Sequence, residues 1–198
     1  MSQLFNCIDE IILASGSPRR RAYFEDLGLL FRVVPADIPE HKQPAETSTA
    51  YIKRLAREKA ENVADKYPKS WIVAADTVVC IDNMVLEKPV DEAAAVKMLL
   101  HLSGREHEVR TAVCLYSRSR GICDICLVST TVLFWDVTKT MILAYVRSGE
   151  PMDKAGSYGI QGKGAFLVRE IHGSYSNVVG LPLYELIGML NRYGLLEK

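Results

Sequence analysis

Residues 11–14, Ile-Ile-Leu-Ala, form a short apolar run stopped by Ser15-Gly16-Ser17-Pro18. That pattern predicts a buried strand leading into a loop. Ser17 suits a helix N-cap and Pro18 the first helical position, so a helix is expected through Arg20, Tyr23, Phe24 and Leu27, ended by Gly28. Residues 30–34 are a second strand candidate, and 35–48, with three prolines beside Glu40, His41 and Lys42, read as loop. From Thr49 a long helix is predicted, because Ile52, Leu55, Ala56, Ala60, Val63 and Ala64 recur at helical spacing. Residues 71–75, Trp-Ile-Val-Ala-Ala, are the strongest buried strand, with Asp76-Thr77 at its end. Residues 78–81 continue apolar, Asp82-Asn83 marks a turn, Val85-Leu86 returns as a strand, and Glu87-Lys88-Pro89 is loop. A helix over 91–102 should turn Ala94, Val96, Leu99 and Leu100 inward. Residues 109–116 and 122–135 read as long strands joined by a hairpin. A helix over 138–147, a Gly-rich stretch over 156–164, a strand over 165–169 and a helix over 183–193 complete the chain. Strands alternating with helices around a central hairpin predict an α/β fold in a single domain spanning residues 1–198.

Composition narrows the class without naming a chemistry. The 198 residues are 48% hydrophobic and 24% charged, which are ordinary globular proportions. Lysines and arginines number 24, as do acids. A zero balance argues against a generic nucleic-acid partner, which shows a basic excess. The acids in the first ten residues precede the apolar run, the wrong order for a signal peptide. The longest uncharged apolar stretch, 125–135, is interrupted by Ser129, Thr130 and Thr131, so no membrane partner is expected. Five cysteines, mostly in apolar segments (Cys80, Cys114, Cys126), read as reduced and buried thiols, and point to a cytoplasmic chain.

Three places carry candidate chemistry. Ser15-Gly16-Ser17-Pro18-Arg19-Arg20 joins a strand, a small-residue turn and a helix N-terminus, whose free N–H groups and dipole receive phosphate. Arg19 and Arg20 add donors suited to phosphate oxygens. The alternative is a capped helix with solvated arginines, and with Arg21 the three cannot all face one ligand. Asp76 follows an apolar strand, and charges are rarely buried without a partner. Strand ends are where open α/β sheets place ligands, although Asp-Thr is also a common turn pair. Lys59, four residues after Leu55 and three after Ala56, lies near the apolar side of its helix, and alone it reads as a snorkelling side chain. Lys88 and Glu40 are ambiguous alone. As an ensemble, two carboxylates, four basic groups and a phosphate-shaped turn suit metal-assisted attack on a polyphosphate.

Other constellations are weaker. Cys123-x-x-Cys126 has no second pair or histidine at zinc spacing, and the four histidines are scattered. Neither a GxxxxGK[ST] nor a GxSxG element occurs. Residues 159–164, Gly-Ile-Gln-Gly-Lys-Gly, look superficially like a phosphate loop and equally like a flexible turn.

Taken in order, several segments resemble the Maf-like nucleoside triphosphate pyrophosphatases. They are Leu13-Ala14-Ser15-Gly16-Ser17-Pro18-Arg19-Arg20, Leu55-Ala56-Arg57-Glu58-Lys59-Ala60, Ala75-Asp76-Thr77-Val78-Val79, Glu87-Lys88-Pro89, Leu102-Ser103-Gly104, residues 153–162 and Val179-Gly180-Leu181-Pro182-Leu183. The resemblance implies a mixed, strongly curved sheet flanked by helices, with two lobes around a central cleft. It implies hydrolysis of a nucleoside triphosphate to the monophosphate and pyrophosphate with a divalent metal, Mg or Mn, in a homodimer. Arg19, Thr77 and Gln161 match the subgroup acting on dTTP and UTP, with CTP and modified pyrimidine nucleotides as further candidates. They differ from the subgroup resembling 7-methyl-GTP hydrolases, which carries Glu where Gln161 stands. Ala75 departs from the glycine that often precedes the aspartate.

By the same resemblance, Asp76 is the proton acceptor, and Glu40 shares the metal with it. Arg20, Lys59 and Lys88 neutralise phosphate charge, Ser15 and Ser17 belong to the phosphate turn, and Arg19, Thr77 and Gln161 read the base. The family has also been linked to inhibition of septum formation and cell division, which leaves a nucleotide-binding regulator with little turnover as the alternative.

Overall fold

The computed structural model describes residues 4, 5, 7–82 and 84–197. Asn83 of the expected turn, and residues 1–3 and 6 of the N-terminal segment read for a leader, lie outside the described residues. The chain alternates strands and helices: β1 (Ile11–Leu13), α1 (Pro18–Asp26), β2 (Phe31–Val33), α2 (Ser48–Lys66), β3 (Trp71–Ile81), β4 (Met84–Leu86), α3 (Glu92–Leu102), β5 (Glu106–Ser117), β6 (Ile122–Phe134), α4 (Lys139–Val146), β7 (Val168–His172), α5 (Tyr175–Val179) and α6 (Leu183–Arg192). Short 3-10 turns occupy the stretch between α4 and β7. The strands form a mixed seven-stranded sheet in the order β2-β1-β3-β5-β6-β7, with β4 beside β3. β1 runs parallel to β2 and to β3, whereas β3–β4 and β6–β7 are antiparallel. The α/β class and the mixed sheet flanked by helices are as the sequence predicts.

Residues divide into two compact units. The first holds 1–76, 111–127 and 180–198, the second 77–110 and 128–179. In the first, Ile11, Leu13, Phe24, Trp71, Val73, Ala75, Val113 and Leu115 pack with Leu186, Met189 and Leu190 of α6. In the second, Val79, Leu99, Leu102, Val132, Phe134, Ile142 and Leu167 form a separate core.

Four local expectations are corrected. Asp76 does not end a strand: β3 carries it at its sixth position and runs on to Ile81. In α3 the buried positions are Ala95, Leu99 and Leu102, while Leu100 is exposed, so the apolar stripe is rotated by a residue. The segment expected as a strand over 165–169 is a 3-10 turn at Gly162–Leu167, and the strand starts at Val168. Cys126 is half-buried and Cys123 exposed, so only Cys80 and Cys114 are the buried thiols expected. The short α5 was not foreseen.

Candidate active site

Strand alternation explains how Asp76 comes to be buried. Trp71, Val73 and Ala75 enter the core shared with α6, so Ile72, Ala74 and Asp76 point to the opposite face of β3. α2 is capped by Thr47, whose side chain accepts from the Ala50 N–H, and it buries Ile52, Leu55, Ala56, Lys59, Ala60 and Val63 along one stripe. Lys59 therefore sits inside the stripe instead of snorkelling to water. Its Nζ donates to Asp76 Oδ1 at 2.6 Å and lies 2.8 Å from Glu40 Oε1. Lys59 and Asp76 are 8% and 7% exposed, so the ion pair is almost dry. Glu40 is half-exposed on the loop before α2. Both acids bond one nitrogen, so their oxygens lie no further apart than those two bonds laid end to end.

That loop is fastened to α2 by residues the sequence reading passed over. Tyr51 donates its hydroxyl to the Glu40 carbonyl at 3.0 Å. Arg54 grips Glu46 with Nε and Nη2 at 2.8 Å each, donates Nη2 to the His41 carbonyl at 3.0 Å and reaches Glu58. The Arg54 hydrogen bonds hold the Glu46 carboxyl down to about 2.

The phosphate-shaped turn has a specific internal structure. Pro18 opens α1 as expected, and Ser17 stands at the N-cap with extended backbone, but its side chain makes no cap bond. Ser15 Oγ instead accepts from the Ser17 N–H and from Arg20 Nη1 at 3.1 Å. Arg20 also donates Nη1 to the Ala75 carbonyl and Nε to the Gly180 carbonyl, both at 2.8 Å. Burial lowers the Arg20 pKa, and the charges of Asp76 and Glu40 offset part of that. Arg21 turns away to Glu25, as three successive helical arginines require. The first unit therefore brings Glu40, Lys59 and Asp76 together, with Arg20, hydrogen-bonded to Ser15, close enough to feel the charge of both acids. Arg19 is half-buried next to Arg20 in the chain, and its like charge lowers the Arg20 pKa further.

The second unit holds the other candidates. Thr77 follows Asp76 in β3, so their side chains leave opposite faces. Lys88 is exposed in the loop between β4 and α3, and Gln161 is exposed in the Gly-rich stretch. The Gly156 N–H donates to the Glu87 carbonyl at 3.2 Å, which ties the Lys88 loop to that stretch. Gly156 has φ +67°, and a Cβ there would lie 2.7 Å from a Val79 methyl, so no other residue fits.

The buried Lys59–Asp76 pair, with Glu40 and Arg20 beside it, lies in a chain that has close relatives elsewhere. The Maf-like protein family model matches residues 10–193. The chain belongs to the Maf-like protein family. A dTTP/UTP pyrophosphatase of Desulfotalea psychrophila is 48% identical over 194 residues, covering 98% of this chain and all of that one. One of Escherichia coli O157:H7 is 48% identical over 189 residues, covering 95% of each. The Ham1 protein of Staphylococcus aureus shares the fold of this Maf-like chain, with a TM-score of 0.56 at 12% identity over 93% of this chain and 97% of that one. No helix among the described residues is long and apolar enough to cross a membrane.

Two carboxylates within reach of each other are hard-oxygen donors, and among the described residues no group of three His, Cys, Asp or Glu side chains gathers. Such a pair cannot enclose a metal alone. It fits an Mg²⁺-like ion that keeps waters and takes substrate phosphate oxygens as its other ligands.

Proposed function

We propose that this Maf-like chain hydrolyses pyrimidine nucleoside triphosphates, dTTP and UTP first, to the monophosphate and pyrophosphate. The observation that carries the reading is the dry Lys59–Asp76 pair with Glu40 and Arg20 beside it, in a chain whose full-length relatives are named dTTP/UTP pyrophosphatases. Ser15, Ser17 and the first turn of α1 receive phosphate oxygens, because that turn leaves N–H groups at the positive end of the helix. Arg20, Lys59 and Lys88 stabilise charge gathering on the phosphates, the largest contribution a protein makes to this chemistry.

Asp76 accepts a proton from the attacking water. The water oxygen bonds to the α-phosphorus, the bond to the bridging oxygen breaks, and pyrophosphate leaves with the electron pair. Glu40 and Asp76 would hold a divalent cation, which when bound supplies positive charge against the phosphate oxygens. Arg19, Thr77 and Gln161 meet the base edge, and a site built of polar groups rejects bases that leave them unpaired. The enzyme works in the cytoplasm as a homodimer in this reading.

Pyrophosphate release from a panel of nucleoside triphosphates, with Mg²⁺ and with Mn²⁺, is the test. dTTP and UTP should be turned over well ahead of ATP and GTP, and Asp76→Asn should retain the fold while losing hydrolysis by at least roughly a thousandfold. Nucleotide binding without turnover would point instead to a regulator.

A further inference from the structure

The loop that carries Gln161 is closed on itself by one carboxylate. Glu150 follows α4 and turns its side chain under residues 159–164. Its Oε2 accepts from the Lys163 N–H at 2.9 Å and its Oε1 from the Gly164 N–H at 2.9 Å. Tyr145, 3% exposed, donates its hydroxyl to Glu150 Oε1 at 3.0 Å and accepts from the Gly159 N–H at 3.3 Å. Both ends of the loop therefore converge on two side chains. A Cβ on Gly164 would lie 2.5 Å from the Gly159 carbonyl oxygen and 2.5 Å from the Tyr145 hydroxyl. The ends are thus in direct van der Waals contact, with Gln161 exposed between them. Lys154 fixes Glu150 in turn, donating Nζ to its carbonyl at 2.6 Å and to Asp153.

We propose that Glu150 and Tyr145 are positioning residues that set Gln161, and through it decide which base the enzyme accepts. This rests on the pyrophosphatase reading and deepens it. Neither residue needs to touch the nucleotide. A glutamine amide offers a donor NH₂ at one end and an acceptor oxygen at the other, so where it stands decides whether a base edge is met at hydrogen-bond distance. A carboxylate accepts at both oxygens, which the converging N–H groups and the hydroxyl demand, whereas a carboxamide would turn an NH₂ toward one of them. Burial pushes the Glu150 carboxyl up, but the Lys163 and Gly164 N–H groups, the Tyr145 hydroxyl and the Lys154 ammonium more than offset it, so it stays below the usual range and charged. Burial raises the Tyr145 phenol, which keeps the proton that it donates.

The experiment compares Glu150→Gln and Tyr145→Phe with wild type on dTTP, UTP and GTP. Tyr145→Phe keeps the ring that packs on Phe166, so it folds even if the other variant does not. In each variant, kcat/KM for the pyrimidines should fall roughly tenfold while that for GTP holds or rises, the loss expected for one or two misplaced hydrogen bonds. In a Gln161→Ala background the same changes should leave the selectivity ratio where it is. Amide exchange at 159–164 should quicken in the variants. An equal fall on all three substrates, an unchanged ratio, or further loss of selectivity without Gln161 would overturn the proposal. Absence of wild-type turnover would sink the pyrophosphatase reading instead. The clamp would then be judged by exchange at 159–164 and by nucleotide binding selectivity, and unchanged values in the variants would reject it.

Discussion

Lys59→Met keeps the length and apolar stem of the side chain and removes only the ammonium. In the intact site Nζ lies 2.6 Å from Asp76 Oδ1, with 8% and 7% of the two residues exposed. Desolvation offsets most of the attraction in so dry a pair, so the pair itself adds little to stability. Removing one partner is different, because it strands a buried carboxylate and costs about 3–5 kcal/mol. Arg20, whose charge also acts on Asp76, keeps the figure toward the lower end. Glu40, with 46% of its side chain exposed, stays hydrated and loses little. In a chain of this size each kcal/mol moves Tm by roughly 2–4 °C, which gives a fall of roughly 6–20 °C. Adding Asp76→Asn removes the stranded charge, so the double variant should regain most of the lost stability. Both variants should remain without hydrolysis. Thermal unfolding of wild type, both single variants and the double variant closes the cycle. A Lys59→Met Tm within about 2 °C of wild type, or a double variant whose losses simply add, would refute the reasoning.

Burial holds His107 down to about 4 from its ordinary 6.5, so the unfolded chain binds that proton more tightly than the folded one. Stability tied to this residue is complete above pH 6.5 and is lost as pH falls toward 4, by at most about 3 kcal/mol. Tm measured against pH should therefore fall less steeply over that window for His107→Gln than for wild type, and parallel curves would contradict it. Arg54→Met releases Glu46 and the His41 carbonyl, and should speed amide exchange over 40–46 while lowering turnover roughly tenfold through the displaced Glu40. In wild type, the Arg54–Glu46 contribution is complete above pH 4.5 and lost as pH falls toward about 2. A denaturation profile flat across that range in both wild type and Arg54→Met would count against the clamp.

The sheet and the long helices were legible because their signals are long. An unbroken apolar run at 71–75 and a stripe repeated through 52–64 each exclude the competing period. The misread places are short. Ala165-Phe166-Leu167 is apolar enough to pass for a strand, and three residues carry no period that separates it from a 3-10 turn. In the sequence Asp76 marks a strand end, because a lone charge interrupts an apolar run. Only the fold brings the ammonium that lets the strand continue past it.

Residue types at the candidate site were legible, but what holds them was not. Arg20 is fixed by the carbonyls of Ala75 and Gly180, and every residue has a carbonyl, so no sequence pattern marks these two. The fold also changes what the neutral composition means. Arg20 and Lys59 stand against Glu40 and Asp76, two charges of each sign, and Arg19 adds one positive charge that Arg20 feels. A surplus of one cannot neutralise a triphosphate. In the proposed reaction, cations from outside this cluster, Lys88 among them, would supply the difference, and the two acids bound to Lys59 would hold a divalent one. The two acids that hold the local surplus to one would thus be, in that reaction, the side chains through which a bound divalent cation raises it.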